Sequence, residues 1–124
     1  MAFRVLYVDD ESDIREIALL SLGLDPELEV RGCASGQEAL TEIEEWRPDL
    51  ILLDVMMPGM DGPTTLARLR ESEASATVAV VFITARTQAH ERERFLGLGA
   101  VGVIAKPFDP MTLAKTTRSF LEGA

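Results

Sequence analysis

Apolar residues fall in short runs divided by longer stretches in which they recur every three or four positions, and this alternation repeats five times along the chain. The runs Phe3 to Val8, Leu28 to Cys33, Leu50 to Leu53, Val78 to Ile83 and Val101 to Ile104 predict strands. The stretches after them predict helices. In the first, Ile14, Ile17, Ala18 and Leu22 lie three or four apart, which leaves Arg15 and Glu16 to face water. Ser12 is placed to cap this helix and Gly23 to stop it. The second opens at Ser35 with Glu38 three residues on, the spacing of a capping box, carries Ala39, Leu40, Ile43 and Trp46 on one stripe, and stops before Pro48. The others are expected from Pro63 to about Glu71, Thr87 to Leu98 and Pro110 to Leu121, with both prolines suited to a first turn.

The third to fifth strands read "LILL", "VAVVFI" and "VGVI", nearly continuous apolar runs of the kind found when helices cover both faces of a parallel sheet. The pattern therefore predicts an α/β fold, a doubly wound (βα)5 sheet. With no repeat, low-complexity tract or linker in sight, residues 1–124 are expected to form a single domain, and the end of the chain just after the fifth helix favours a stand-alone protein.

Charge and cysteine content narrow the function. Twelve basic and 21 acidic residues give a net charge of −9, which disfavours direct binding to nucleic acid or an anionic membrane. The single Cys33 has no internal partner and sits among apolar residues, as a buried core thiol would. No apolar run reaches the roughly 18 residues of a membrane span, and no secretory leader opens the chain, so a cytoplasmic location is expected.

Ligands of open parallel sheets bind outside the carboxyl ends of the strands. Asp9 and Asp10 follow the first strand, Asp54 the third and Thr84 the fourth, while Lys106 lies just past the fifth. Clustered carboxylates repel by about 1 kcal/mol or more per pair at surface-like dielectric, and a divalent cation relieves this. All-oxygen donors without Cys or His favour Mg2+, with Mn2+ as a substitute. Charge neutralisation beside Asp54 would let a phosphoryl donor approach it, making Asp54 a candidate nucleophile, with Lys106 and Thr84 placed to bind phosphoryl oxygens. No Gly-rich phosphate loop follows the first strand, which argues against a small-molecule enzyme or flavin carrier on a similar doubly wound sheet. In "LYVDDESD", Asp13 suits a helix N-terminus, whereas Glu11 receives no assignment. In "MMPGMDG", Pro58 restricts the chain, and Gly59 and Gly62 permit positive φ.

With "VDD" after the first strand, "LLDVMMPGMDG" around Asp54, "ITA" at Thr84 and "KPF" at Lys106, the whole chain resembles a receiver domain of two-component response regulators. The resemblance implies a flavodoxin-like sheet of strand order 2-1-3-4-5. It makes Asp54 the phosphoacceptor, assigns metal binding to Asp9, Asp10, Asp54 and the Met56 backbone carbonyl, and gives phosphoryl binding to Thr84 and Lys106. It also implies a cis peptide between Lys106 and Pro107. A sensor histidine kinase or histidine phosphotransfer protein would be the donor. A downstream protein or a second copy would dock on the face of the fourth helix, fifth strand and fifth helix. Such a chain catalyses its own modification and turns over no external metabolite.

Three positions depart from the family pattern. Val103 stands where receivers carry a Tyr or Phe that moves on activation; a stiff β-branched side chain weakens or replaces that coupling. Met56 and Arg86, at positions that tune phosphoryl lifetime, are neither carboxylate nor amide, and predict slow self-dephosphorylation. The Val103 departure motivates an alternative, a scaffold or adaptor that signals without phosphorylation. In "ARTQAHERERF" the only histidine, His90, is expected on a solvated surface, and Trp46 in the core.

Overall fold

The computed structural model describes residues 2–122. Strands and helices alternate in the order β1 (Phe3–Val8), α1 (Ser12–Leu22), β2 (Leu28–Cys33), α2 (Gly36–Glu45), β3 (Leu50–Asp54), α3 (Gly62–Arg70), β4 (Ala79–Thr84), α4 (Ala89–Gly97), β5 (Gly102–Ala105) and α5 (Leu113–Glu122). The strands are all parallel and lie in the order β2-β1-β3-β4-β5. Period-two geometry sends successive side chains to opposite faces. Leu6, Val8, Ile51, Leu53, Val80 and Phe82 pack with Ala39, Ile43, Leu66, Leu69 and Phe95 of α2, α3 and α4. On the other face Val5, Tyr7, Leu50, Leu52, Val81 and Ile83 meet Ala18 and Leu22 of α1 and Leu113 of α5. Every residue of β3 is buried, which explains its unbroken apolar reading.

The second helix starts as expected. The Glu38 N–H donates to Ser35 Oγ at 3.1 Å, and Glu38 Oε1 in return accepts the Ala34 N–H at 2.9 Å, one residue before the cap. Trp46 is buried at the end of α2, its Nε1–H donating to Glu29 Oε1 at 3.4 Å and its ring lying beneath Arg4 and Arg31. Cys33 is buried, and burial pushes its thiol up to about 11.

Four local expectations need correction. The N-cap of α1 is Glu11, with no side-chain cap bond, and Ser12 is the first helical residue. Along α1, Ile17 is exposed, whereas Arg15 is half-buried because its guanidinium donates to the Asp9 carbonyl at 2.7 Å. Helix α5 begins at Leu113 because the Asp109 carboxylate and carbonyl take the Met111 and Leu113 N–H groups and hold a turn there, which leaves Pro110 ahead of the helix. In the loop after β3, Gly59 has φ 77°, but Gly62 does not have positive φ. The need for glycine at 62 is steric, since a Cβ there would stand 2.7 Å from the Asp54 carbonyl oxygen and 2.8 Å from Val55 Cα.

Candidate functional site

Strand order reverses between β1 and β3, the crevice where ligands of such sheets bind. Pairing of Val8 with Leu53 brings the residues just beyond, Asp9 and Asp54, to one level, and pairing of Thr84 with Ala105 places Lys106 one residue further along the same edge. Asp9, Asp10 and Asp54 each offer a carboxylate oxygen within 4.8 Å of the others. Asp9 and Asp54 are buried, and Asp10 is the more accessible of the three.

Asp9 is held from several sides. The buried Tyr7 hydroxyl donates to its Oδ2 at 3.1 Å and the Glu11 N–H to its Oδ1 at 3.0 Å. Tyr7 and Asp9 are two apart on an extended chain and so share a face. Burial, followed by the charge of Asp9, raises the Tyr7 phenol well above its ordinary value, so it stays a proton donor.

Lys106 reaches into the carboxylates. Its Nζ lies 3.1 Å from Asp9 Oδ2, 3.0 Å from Glu11 Oε1 and 3.4 Å from Asp54 Oδ2. Partial burial opposes its charge, but hydrogen bonds to Glu11 and Asp9 and the charges of Asp54 and Asp9 outweigh it and raise its pKa. Asp54 is pushed up to about 6, first by burial and then by the Asp9 charge, with Lys106 pulling the other way. The peptide between Lys106 and Pro107 is cis, as the resemblance implied.

Thr84 is buried at the end of β4, and its Oγ1 accepts the Arg86 N–H at 3.0 Å. That bond occupies a lone pair and leaves the hydroxyl proton free to donate elsewhere. Met56 and Arg86 are both exposed, Met56 at 72%. Val103 is half-buried against the core cluster that contains Phe82, Phe95 and Ala100. His90 is exposed on α4 beside Glu91. The structure thus brings Asp9, Asp10, Asp54 and Lys106 together and sets Thr84 at the same edge. It adds Tyr7 and Glu11, which sequence reasoning did not place.

An all-oxygen set of this spacing fits a hard divalent cation of the Mg2+ type. Among the described residues, no helix is long and apolar enough to cross a membrane.

A family model described as "Response regulator receiver domain" matches residues 5–118. A protein-glutamate methylesterase/protein-glutamine glutaminase of Cereibacter sphaeroides is 43% identical over 105 residues, covering 84% of this chain and 28% of the relative. The DNA-binding response regulator MtrA of Mycobacterium tuberculosis is 37% identical over 124 residues, covering 98% of this chain and 51% of the relative. The chain therefore spans between about a quarter and a half of these relatives' length. Among solved structures, the chemotaxis response regulator CheY4 of Vibrio cholerae superposes with a TM-score of 0.87 at 32% identity, over 97% of this chain and 99% of that one.

Proposed function

The chain belongs to the response regulator receiver family of two-component signalling, and from that premise we propose that it takes a phosphoryl group from a phosphohistidine onto Asp54. The observation that carries this reading is the meeting of the buried Asp54 with Asp9, Asp10 and the Lys106 ammonium at the crevice between β1 and β3. In the transfer, an Asp54 carboxylate oxygen forms a bond to phosphorus while the bond from phosphorus to the donor nitrogen breaks. The electron pair leaves with the imidazole, which takes up a proton from solvent. With acetyl phosphate as donor, the bond to the acetate oxygen breaks and acetate leaves with the pair.

Receiver domains generally bind Mg2+, and Asp9, Asp10, Asp54 and the Met56 backbone carbonyl are the groups that would hold it here, with Mn2+ as a substitute. Bound there, the ion supplies positive charge that offsets the repulsion between Asp54 and an anionic donor. Lys106 donates to a phosphoryl oxygen as charge is transferred, and the free Thr84 hydroxyl proton donates to another. Tyr7 and the Glu11 N–H keep Asp9 oriented through this change.

The output is protein association. Leu96 and Leu98 at the end of α4 and Val101 before β5 are 43%, 46% and 49% exposed, an apolar surface suited to a downstream protein or a second copy docking on the α4–β5–α5 face. MtrA is a DNA-binding regulator as a whole, but the net charge of −9 makes this chain unsuited to meeting nucleic acid directly. A cytoplasmic location and the absence of turnover of any external metabolite complete the reading.

The test is intact mass after incubation with acetyl phosphate. One phosphoryl group is expected in Mg2+ and none in chelator; no adduct in Mg2+ would leave the phosphorylation-independent scaffold as the better reading. Lifetime follows from the two exposed side chains beside the site. Met56 presents an apolar body to attacking water, and Arg86 can hold phosphoryl oxygens. The double variant Met56→Asn with Arg86→Glu is expected to lose its acyl phosphate several-fold faster. A half-life no shorter than the wild type's would sink this assignment.

A further inference from the structure

An ammonium has three hydrogens, and those of Lys106 face three carboxylates, of Asp9, Glu11 and Asp54. To donate to a phosphoryl oxygen it must release one of them. Asp9 is 0% exposed and pinned by Tyr7 and the Glu11 N–H, and Asp54 is the acceptor itself. Glu11 differs, because its side chain is 59% exposed although its contact, at 3.0 Å, is the shortest of the three. Its backbone is fixed, with the N–H on Asp9 Oδ1 and the carbonyl accepting the Arg15 N–H at 2.9 Å. The carboxylate can therefore swing into water without disturbing Asp9.

We propose that Glu11 is a positioning residue that competes with the phosphoryl group for Lys106, holding the ammonium over Asp54 before transfer and yielding it during transfer. The proposal rests on phosphorylation at Asp54. Glu11 lowers the rate by making an anionic donor displace a resident anion, and it contributes nothing once Lys106 is absent. Neighbouring elements supply the same ammonium with Asp9 from the end of β1 and Asp54 from the end of β3, so charge at position 11 is the only one of the three that can be removed without altering the proposed acceptor and metal set.

Glu11→Gln is expected to raise the rate constant for phosphorylation by acetyl phosphate in Mg2+ about 2- to 5-fold, the range of an exposed ion pair. In a Lys106→Met background the same substitution is expected to change nothing. Without any donor, the 15N resonance of the Lys106 ammonium is expected to shift in Glu11→Gln, a change a merely structural role would not produce. A rate increase that survives in Lys106→Met overturns the proposal, because Glu11 would then act through bulk charge alone. An unmoved ammonium resonance, or a Glu11→Gln rate equal to wild type, overturns it while leaving Asp54 as acceptor. A wild type that gains no adduct removes both readings together.

Discussion

In chelating buffer at pH 8, Asp54→Asn is expected to be more stable than the wild type by about 1–2 kcal/mol, read as a higher urea midpoint at unchanged slope. The cause is geometric. Asp54 is buried with its carboxylate within 4.8 Å of those of Asp9 and Asp10, and Lys106 is shared with Asp9 and Glu11. Burial and the Asp9 charge lift Asp54 from 3.8 to about 6. A two-unit shift would be worth about 2.7 kcal/mol, and solvent at the open edge reduces it. The sign is that of a carboxyl with a raised folded pKa: the cost to the folded state is absent at pH well below the ordinary 3.8, grows as pH climbs, and is complete above about 6. The advantage of the Asn variant should therefore disappear by about pH 4. Added Mg2+ should raise the midpoint of the wild type and move that of Asp54→Asn far less. Equal midpoints at pH 8 in chelator would show that the carboxylates do not oppose one another in the folded chain.

Gly62→Ala is expected to cost about 2–4 kcal/mol and to suppress phosphorylation along with stability. The added Cβ would meet the Asp54 carbonyl oxygen, Val55 Cα and, at 3.2 Å, Phe82 Cε1. Two of these are backbone of the strand end that carries the acceptor, so relief requires moving Asp54 itself. The Gly62 N–H also donates to the Val55 carbonyl at 2.9 Å, which ties the start of α3 to the same stretch. Gly59→Ala meets open space and instead forces a Cβ residue to φ 77°, a cost of about 1 kcal/mol. Denaturant midpoints of the two variants separate the causes: if Gly62→Ala proved the milder, the close approach at β3 would not be what glycine serves.

The sheet was legible in the sequence because its inner strands β3 and β4 are buried on both faces and read as unbroken apolar runs, and the site because the runs of β1, β3, β4 and β5 end at or just before a polar residue at the same edge. Asp9, Asp54 and Thr84 needed no more than that. Glu11 was not legible, since its partner Lys106 lies 95 residues away and an exposed carboxylate after a strand has many equivalent uses. Tyr7 carried a usable signal, its two-residue spacing from Asp9 on an extended chain, but an aromatic in a strand reads first as core. Arg15 was assigned to water because helical spacing knows nothing of the sheet below it; in the folded chain Gly32 of β2 leaves space that the Arg15 and Leu19 side chains fill. The start of α5 was misplaced for a similar reason. Proline permits a first turn, whereas Asp109 supplies the bonds that delay the helix to Leu113.

The central claim, that Asp54 is the phosphoacceptor, is tested most directly by locating the modification. Wild type and Asp54→Ala are incubated with Mg2+ and acetyl phosphate, and the adduct is mapped by peptide mass under conditions that preserve acyl phosphates. One phosphoryl group on the β3 peptide of the wild type, and none on Asp54→Ala, is the result expected; an adduct of equal yield on Asp54→Ala, or one mapped to another segment, would contradict it.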